Sequence, residues 1–471
     1  MNTVTTPGSD RTVPPAASRF AALISLLRAP RALWAVYLSM LLEGFVYFGM
    51  LIYLAMYFND YGHLSDLHAG WMVGLLTSGI TLSMLFFGGR SDRWGLRRTL
   101  LVSLLLMALG RAVLALVPRL GLAGGTLVSP FDAAALGGIL LVVLGYGMYT
   151  PAGYAGVRQF TSPANANMAF AMLYGVMNLG GWLPTFMSPI RRAYGIQGAF
   201  IFYTGVTVAG LVLCLALLSK GSVAAARAAA AQAQPEAEAG SAAPAPPPPG
   251  PGGRAQDLLR WLRNHPLADL RFTCFIFCLI PVQTLFAYNW LVLPQYVNRA
   301  FAGTWVGARF EAATSLNALL IFLLCPVVAA VTARTKVYTM VTVGTAIMAA
   351  PTFLLALGPS VPGLFGFIVL MTVGEAIWQP RFLQYAAEIA PEGRTGAYMG
   401  VAQFPWFLTK MLVPAYSGAA LARWCPDPAQ GPLDTETMWL VFGAVAMLTS
   451  ILLVLARSWL GKAEHPQAAG Y

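Results

Sequence analysis

The chain has 471 residues, of which 58% are hydrophobic and only 10% are charged. A soluble domain carries about 25% charged residues, so this composition excludes an ordinary soluble enzyme or binding domain. The net charge of +11 does not indicate nucleic-acid binding, because the basic residues are scattered through short connections rather than gathered into a patch. The apolar residues come instead in repeated runs of about 20, the length that a helix needs to cross a bilayer. We therefore expect an all-α integral membrane protein.

Twelve apolar runs are predicted to be transmembrane helices, in two groups of six. Their bounds are 32–58, 69–89, 98–117, 132–157, 167–187, 197–219, 266–298, 309–333, 337–357, 361–387, 396–422 and 435–460. An Ala-, Pro- and Gly-rich tract separates the two groups, and such a composition cannot bury a hydrophobic core. The predicted units are an N-terminal arm (1–31), an N-terminal six-helix bundle (32–219), a disordered linker (220–265), a C-terminal six-helix bundle (266–460) and a tail (461–471).

The Lys and Arg residues of the connections predict the orientation in the membrane. If the N-terminus is cytoplasmic, that side collects about 20 basic residues and the opposite side about six, while the loop 59–68 has none. Both termini and the linker are therefore predicted to be cytoplasmic. The first 31 residues are polar and basic, so no signal peptide is expected. The Ala-, Arg- and Gly-rich composition favours a bacterial inner membrane.

The connection between the second and third spans carries the motif GGRSDRWGLRRTL at 88–100. A glycine at 88 permits close helix packing, and a carboxylate at 92 can accept hydrogen bonds from backbone N–H groups at a neighbouring helix end. The motif resembles the signature of the major facilitator superfamily, with matches at Gly88, Asp92, Arg93, Gly95, Arg97 and Arg98. The resemblance implies a gating loop that latches the two halves in one state. The alternative is a basic turn that only sets the orientation.

Five further segments resemble a narrower family, the proton-coupled oligopeptide transporters. They lie in the first, fourth, fifth, eighth and tenth spans and read EGFVYFGM, GYGMYTPAGYAGVRQF, FAMLYGVMNLGGWLP, SLNALLIFLLCP and GEAIWQPRFLQYAAEIAPEGRTGAYMG. The resemblance implies a major facilitator fold, with twelve helices in two six-helix bundles and a substrate site where the bundles meet. Three positions depart from the family, since Met40, Gly44 and Thr150 replace a glutamate, an arginine and a lysine. In the family those residues take part in proton coupling and in holding a peptide carboxylate, so the resemblance does not fix a peptide substrate.

Ionisable residues inside a span are costly and are therefore candidates for function. Glu43 and Glu375, one in each half, are the candidates for proton coupling. For Glu43 the alternative is a structural ion pair with Arg111 of the third span, and for Glu375 the alternative is likewise a structural role. Lys410, beside Trp406, is a candidate for binding an anionic part of the substrate, and the alternative is that its amine snorkels to the membrane surface.

Polar and aromatic side chains inside the spans predict a wide amphipathic cavity. On the fourth span they recur at three- and four-residue spacing, which places them on one helix face. The candidates for substrate binding are Tyr47, Arg111, Tyr146, Tyr149, Thr150, Tyr154, Asn178, Gln283, Tyr288, Asn289, Trp290, Trp378, Gln379, Trp406 and Lys410. For each aromatic or amide side chain the alternative is helix packing or an anchor at the membrane interface.

These features favour a secondary active transporter, with proton-coupled symport of a small organic solute, such as a peptide-like one, as the leading hypothesis. The alternative is proton-driven efflux of an amphipathic metabolite or drug, and a non-transporting receptor is less favoured because no folded cytoplasmic domain is predicted. No cofactor, metal site or catalytic residue is expected, since the histidines fall in loops or tails and no P-loop is present. We expect a monomer, not an enzyme, whose partners are substrate, protons and membrane lipid.

Overall fold

The computed structural model describes residues 29–87, 94–161, 163–232, 265–332, 335–388, 398, 401–402, 404–427 and 429–460. The helices of the N-terminal half are α1 (Arg31–Asp60), α2 (Asp66–Phe87), α3 (Leu96–Leu116), α4 (Pro130–Phe160), α5 (Pro163–Trp182), α6 (Ser188–Leu217) and α7 (Lys220–Gln232). Those of the C-terminal half are α8 (Leu270–Cys278), α9 (Ile280–Leu291), α10 (Leu293–Ala300), α11 (Trp305–Ala308), α12 (Phe310–Val331), α13 (Val337–Ala349), α14 (Thr352–Leu355), α15 (Val361–Glu388), α16 (Phe404–Trp424), α17 (Thr435–Leu455) and α18 (Arg457–Leu460). Short 3₁₀ turns occupy Val117–Leu120, Leu183–Met187 and Pro266–Ala268.

Each of the twelve predicted spans coincides, over its described residues, with a helix or with a helix that is briefly interrupted. The seventh span is broken into α8, α9 and α10, and both breaks come just before a proline, Pro281 and Pro294, which cannot donate the next backbone hydrogen bond. The described residues contain no β-strand. By length and composition, eight stretches of described helix are apolar enough to cross a membrane.

The helices pack into two groups that follow the chain order. In the N-terminal half α3 packs on α4 and α6, and α1 packs on α5 and α6. In the C-terminal half α15 packs on α12 and α13, and α9 packs on α16 and α17. The two groups meet along α2 with α16 and along α5 with α12. A side chain at Gly418 would collide with the backbone of Asp66, so this glycine is what allows α16 and α2 to approach so closely.

Alternating helix directions give the bundle two ends. We call the end with residues 61–65 the first-loop side, and the end where α1 begins, at residue 31, the terminus side. Odd-numbered spans of the N-terminal half run from the terminus side to the first-loop side, and even-numbered spans run back. The C-terminal half repeats this order, since Arg299, at the end of its first predicted span, contacts Asp66 at the first-loop side.

The predicted disordered linker is wrong at its beginning. Residues 220–232 form helix α7, which packs on α1 and α4. Ala226 is buried, and Arg227 donates two hydrogen bonds, of 2.6 and 3.2 Å, to the amide oxygen of Gln159. Alanine has the highest helix propensity of any residue, so the Ala-rich beginning of this tract folds once α1 and α4 offer a surface to pack on. Residues 233–264 lie outside the described residues.

Candidate functional site

Glu43 and Arg111 form a buried ion pair inside the N-terminal half. The guanidinium group contacts both carboxylate oxygens at 2.8 Å, and the Tyr146 hydroxyl donates to the same carboxylate at 3.1 Å. Arg111 also donates to the Thr207 hydroxyl of α6. Glu43 is 2% exposed and Arg111 is 1% exposed. The arginine that we predicted as a substrate ligand is therefore occupied by Glu43, in the arrangement that we weighed as the alternative.

Glu375 is held in a different way. It lies within α15 and is 5% exposed, and none of the described basic residues forms an ion pair with it. Asn317 of α12 donates its amide to Glu375 at 2.8 Å and to the Thr372 hydroxyl at 2.9 Å. Arg381, on the same helix, donates instead to the carbonyl of Thr332.

The two carboxylates therefore respond differently to a proton. Protonation of Glu43 removes the counter-ion of a buried arginine, which is strongly destabilising. Protonation of Glu375 leaves no described cation without a partner, because its hydrogen-bond partner is a neutral amide. Of the two carboxylates, Glu375 is the one whose protonation breaks no ion pair.

Lys410 lies on the face of α16 that meets the seventh span through Trp406. Its amine is 5.3 Å from the centre of the Trp406 ring. Trp406 stacks on Phe286 of α9 with ring centres 5.0 Å apart, and Phe286 contacts Trp378 of α15 at 6.1 Å. We call Trp406, Phe286 and Trp378 the aromatic bridge. Lys410 is half-buried and has no carboxylate within ion-pair distance among the described residues.

Several other predicted ligands take part in packing. Trp378 is fully buried and its indole N–H donates to the sulfur of Met348 at 3.1 Å. The Tyr149 hydroxyl donates to Ser39 at 2.9 Å. The hydroxyl of Tyr288, which is 1% exposed, shares a hydrogen bond with the hydroxyl of Tyr416.

The remaining candidates have more accessible side chains. Tyr154 is 43% exposed, and the Asn178 amide donates to the Tyr174 carbonyl one turn earlier. The half-buried candidates are Tyr47, Thr150, Asn178, Asn289, Trp290, Gln379 and Trp406.

Gln283 is an exception to the hydrogen-bonding rule for buried groups. Its side chain is fully buried, and neither amide atom has a hydrogen-bond partner among the described residues. It precedes Phe286 by three residues on α9, so the two side chains share a helix face. A buried amide without a partner costs roughly 1–3 kcal/mol, so a polar group placed beside Gln283 is stabilised.

Half of the predicted gating loop lies outside the described residues, namely Gly88, Asp92 and Arg93. Gly95 precedes α3 with a φ of 78°, a conformation that favours glycine. Arg97 donates to the carbonyl of Leu218, and Arg98 lies 5.9 Å from the centre of the Trp94 ring. These described contacts stay within the N-terminal half, and the latch between halves remains a prediction.

A buried carboxylate joins the halves at the first-loop side. Glu311, at the start of α12, is fully buried and forms an ion pair with Arg191 of α6. It also accepts hydrogen bonds from Tyr53 of α1 at 2.8 Å and from Ser188 at 2.6 Å. Three of its partners thus come from the N-terminal half.

A second ion pair lies at the same end. Arg299 of α10 binds Asp66 of α2 through two contacts of 2.7 and 2.8 Å, and it donates to the carbonyl of Cys425 at 2.7 Å. Gln295 donates to Asn59 at 3.1 Å.

Over the described residues, the hydrogen bonds between halves lie at the first-loop side or near the middle of α2 and α16, so this structure is closed at the first-loop side. Sequence analysis missed both pairs, because opposite charges at helix ends do not reveal which helices are neighbours.

Breaking the Asp66–Arg299 pair is expected to open the first-loop side. Asp66→Ala leaves Arg299 buried without its counter-ion, a loss of about 3–5 kcal/mol. Cys425 is fully buried beside this pair, so its reaction with a thiol reagent should accelerate at least tenfold in a variant whose other cysteines are replaced. Glu436→Ala, at an exposed acidic position on the same side, is the matched control and should not change the rate. An unchanged rate in Asp66→Ala contradicts this role.

Comparison with known proteins identifies the family. Residues 37–414 match the family model of the Major Facilitator Superfamily, which is well over half of the chain. The chain belongs to the major facilitator superfamily. This membership confirms the predicted all-α major facilitator fold, and it identifies the chain as an integral membrane transporter rather than an enzyme.

Solved structures show the same fold in this facilitator at low sequence identity. A peptide transporter POT in complex with sulfate has a TM-score of 0.67 and 18% identity, over 92% of this chain and 96% of that one. A POT family transporter in complex with 5-aminolevulinic acid has a TM-score of 0.65 and 16% identity, over 93% and 97%. The POT family transporter PepTSo has a TM-score of 0.63 and 18% identity, over 92% and 99%. No curated protein matches the chain by sequence.

Proposed function

We propose that this facilitator is a proton-coupled symporter of a small organic solute, in which Glu375 carries the proton. The observation that carries the proposal is a buried carboxyl in the C-terminal half that is held by the neutral Asn317 rather than by a described cation. Protonation of such a group breaks no ion pair and leaves no described cation without its counter-ion. Glu43, which we predicted as a second coupling residue, has a structural role in this proposal because it neutralises Arg111.

The direction of transport follows from the proposed orientation. If both termini are cytoplasmic, the closed first-loop side faces outwards, and the structure represents a state in which the outer gate is shut. Proton and solute enter when this side opens and leave at the terminus side. One charge crossing 100 mV releases roughly 2.3 kcal/mol, and one unit of pH gradient releases about 1.4 kcal/mol, so one proton per cycle supports accumulation.

The solute is proposed to be small and partly apolar. One of the similar structures is named as a peptide transporter and another is in complex with 5-aminolevulinic acid, which supports a peptide-like solute. The aromatic bridge and the absence of charge at Gly44 and Thr150 support a less polar one. The same features support proton-driven efflux of an amphipathic compound as the second candidate.

Reconstitution into liposomes tests the proposal. With acid outside, we expect solutes from a panel of dipeptides, amino acids and organic acids to accumulate, and a protonophore to abolish the accumulation. Protein-free liposomes are the control for passive entry. Accumulation only when the lumen is acid supports the efflux antiporter, and a complete indifference to the pH gradient contradicts proton coupling.

A further inference from the structure

The position of Lys410 suggests a site for an anion within the membrane domain. It lies six residues into α16, roughly 9 Å from the beginning of the helix at 1.5 Å per residue. The hydroxyls of Thr77 and Ser78, from the other half, donate to its backbone carbonyl at 3.3 and 3.1 Å. Lys410 therefore lies where the two halves touch.

The amine is directed to the interior rather than along the outside of α16. It lies over Trp406, whose ring stacks on Phe286, and Phe286 is only 6% exposed. A lysine in such surroundings needs a counter-ion or water, because an ammonium group is costly to bury alone. The described residues provide no carboxylate within ion-pair distance. An anionic group of the solute would supply the missing partner.

The surroundings of Lys410 favour a flat apolar body attached to that anion. Trp406, which is half-buried and stacks on the buried Phe286, presents an aromatic surface beside the amine. Gln283, on the same face of α9 as Phe286, offers an unused amide for a polar substituent. Aromatic rings bind well on such surfaces, and a single amide and a single ammonium set their orientation.

We propose that the solute is an aromatic monocarboxylate, whose carboxylate binds Lys410 and whose ring packs on Trp406, the half-buried member of the aromatic bridge. This inference rests on the proposed proton-coupled function. Glu375 and Trp378 are three residues apart on α15, so the proton site and the bridge share a helix face. When Glu375 is protonated, Glu375 and Lys410 together carry a net charge of +1, which balances the single negative charge of one carboxylate. Proton and anion therefore favour each other's binding, and the effect is reciprocal.

Other titratable groups near Glu375 do not change this charge balance. Tyr174 of α5 and Cys325 of α12 interact electrostatically with Glu375, and both are neutral as ordinary phenol and thiol groups. Helix α13, which packs on α15, carries Tyr338 and no charged residue. Arg381, six residues after Glu375 on α15, donates to the carbonyl of Thr332 and not to Glu375, so the charge balance considered for the site is that of Glu375 and Lys410.

This mechanism predicts electroneutral transport. One proton and one monoanion move together, so a pH gradient of one unit should drive up to about tenfold accumulation. A membrane potential imposed with potassium and valinomycin should change the uptake less than twofold. A zwitterionic dipeptide moving with a proton carries net charge, so the potential would drive its uptake.

The test uses benzoate, p-aminohippurate and indole-3-acetate as probes, with the dipeptide Phe-Gly as the zwitterionic comparison and protein-free liposomes for passive entry. We expect at least one probe to bind the purified protein and to accumulate with the pH gradient. Lys410→Gln should weaken its binding at least tenfold, and Lys410→Arg should stay within a few-fold of the wild type. Lys336→Gln, at an exposed lysine in the same half, is the matched control.

The outcomes separate this inference from the proposed function. If Phe-Gly accumulates with both gradients and none of the three acids binds, the carboxylate proposal is overturned while proton coupling stands. Equal binding in Lys410→Gln and the wild type, at unchanged thermal stability, also overturns it. If the pH gradient drives no solute of either class, the proposed function fails.

Discussion

Glu375→Gln is expected to abolish proton-driven accumulation and to leave solute exchange intact. Glutamine has the shape of a protonated glutamate, and its carbonyl oxygen can accept the hydrogen bond that Asn317 now donates to Glu375. The variant therefore keeps the geometry of the loaded site but cannot release a proton. Under a gradient of one pH unit, the accumulation ratio should fall from about ten to about one.

Two assays on the same proteoliposomes measure this effect. Gradient-driven uptake reports coupling, and counterflow of labelled solute against unlabelled solute reports binding and alternating access. We expect counterflow within about threefold of the wild type, since binding to the protonated state is preserved. A variant that accumulates solute as the wild type does assigns the coupling proton to another group. A variant that loses both gradient-driven uptake and counterflow indicates that Glu375 contacts the substrate and does not carry the coupling proton.

Arg111→Met is expected to destabilise the N-terminal half strongly. The substitution leaves the Glu43 carboxylate buried at 2% exposure without its cation, and breaking a buried pair in this way costs about 3–5 kcal/mol. Glu43→Gln should have a similar effect, because it leaves the guanidinium group unpaired. The double variant Glu43→Gln/Arg111→Met removes both charges, so it should recover most of the lost stability.

The reactivity of Cys214 during heating in detergent measures this stability. Cys214 is fully buried in the N-terminal half, and a variant that keeps only this cysteine reports the unfolding of that half. Leu105→Ala, at an exposed position of α3, is a control for the loss of an ordinary side chain. Additive effects of the two single substitutions would show that the pair is not coupled, and would return Glu43 to the candidates for proton coupling.

The two halves of this facilitator therefore have different tasks in the proposed mechanism. In the N-terminal half the carboxylate and the arginine neutralise each other in the core. In the C-terminal half Glu375 and Lys410 have no described ion-pair partner, and the aromatic bridge connects the helices that carry them. In this mechanism the chemistry of proton and solute is concentrated in the second half, while residues of the first half pair with Glu311 and Arg299 at the first-loop side.

The sequence alone determined the fold class, and the predicted spans coincide with helices over their described residues. A bilayer demands about 20 apolar residues for each crossing, so the spans are visible in composition without knowledge of the fold. The loop motif at 88–100 and the five span motifs indicated the superfamily to which the chain belongs. The beginning of the linker was predicted wrongly, because composition does not show that α7 finds a surface on α1 and α4.

Only the tertiary structure distinguished the two carboxylates. Glu43 and Glu375 look alike in sequence, each an acid within an apolar span, and their difference comes from neighbours on other helices: Arg111 for the first and Asn317 for the second. The pairs Asp66–Arg299 and Arg191–Glu311 likewise join residues more than a hundred positions apart. Hydropathy determines where a helix crosses the membrane. Packing determines which face of the helix meets which neighbour, and therefore which charges are neutralised.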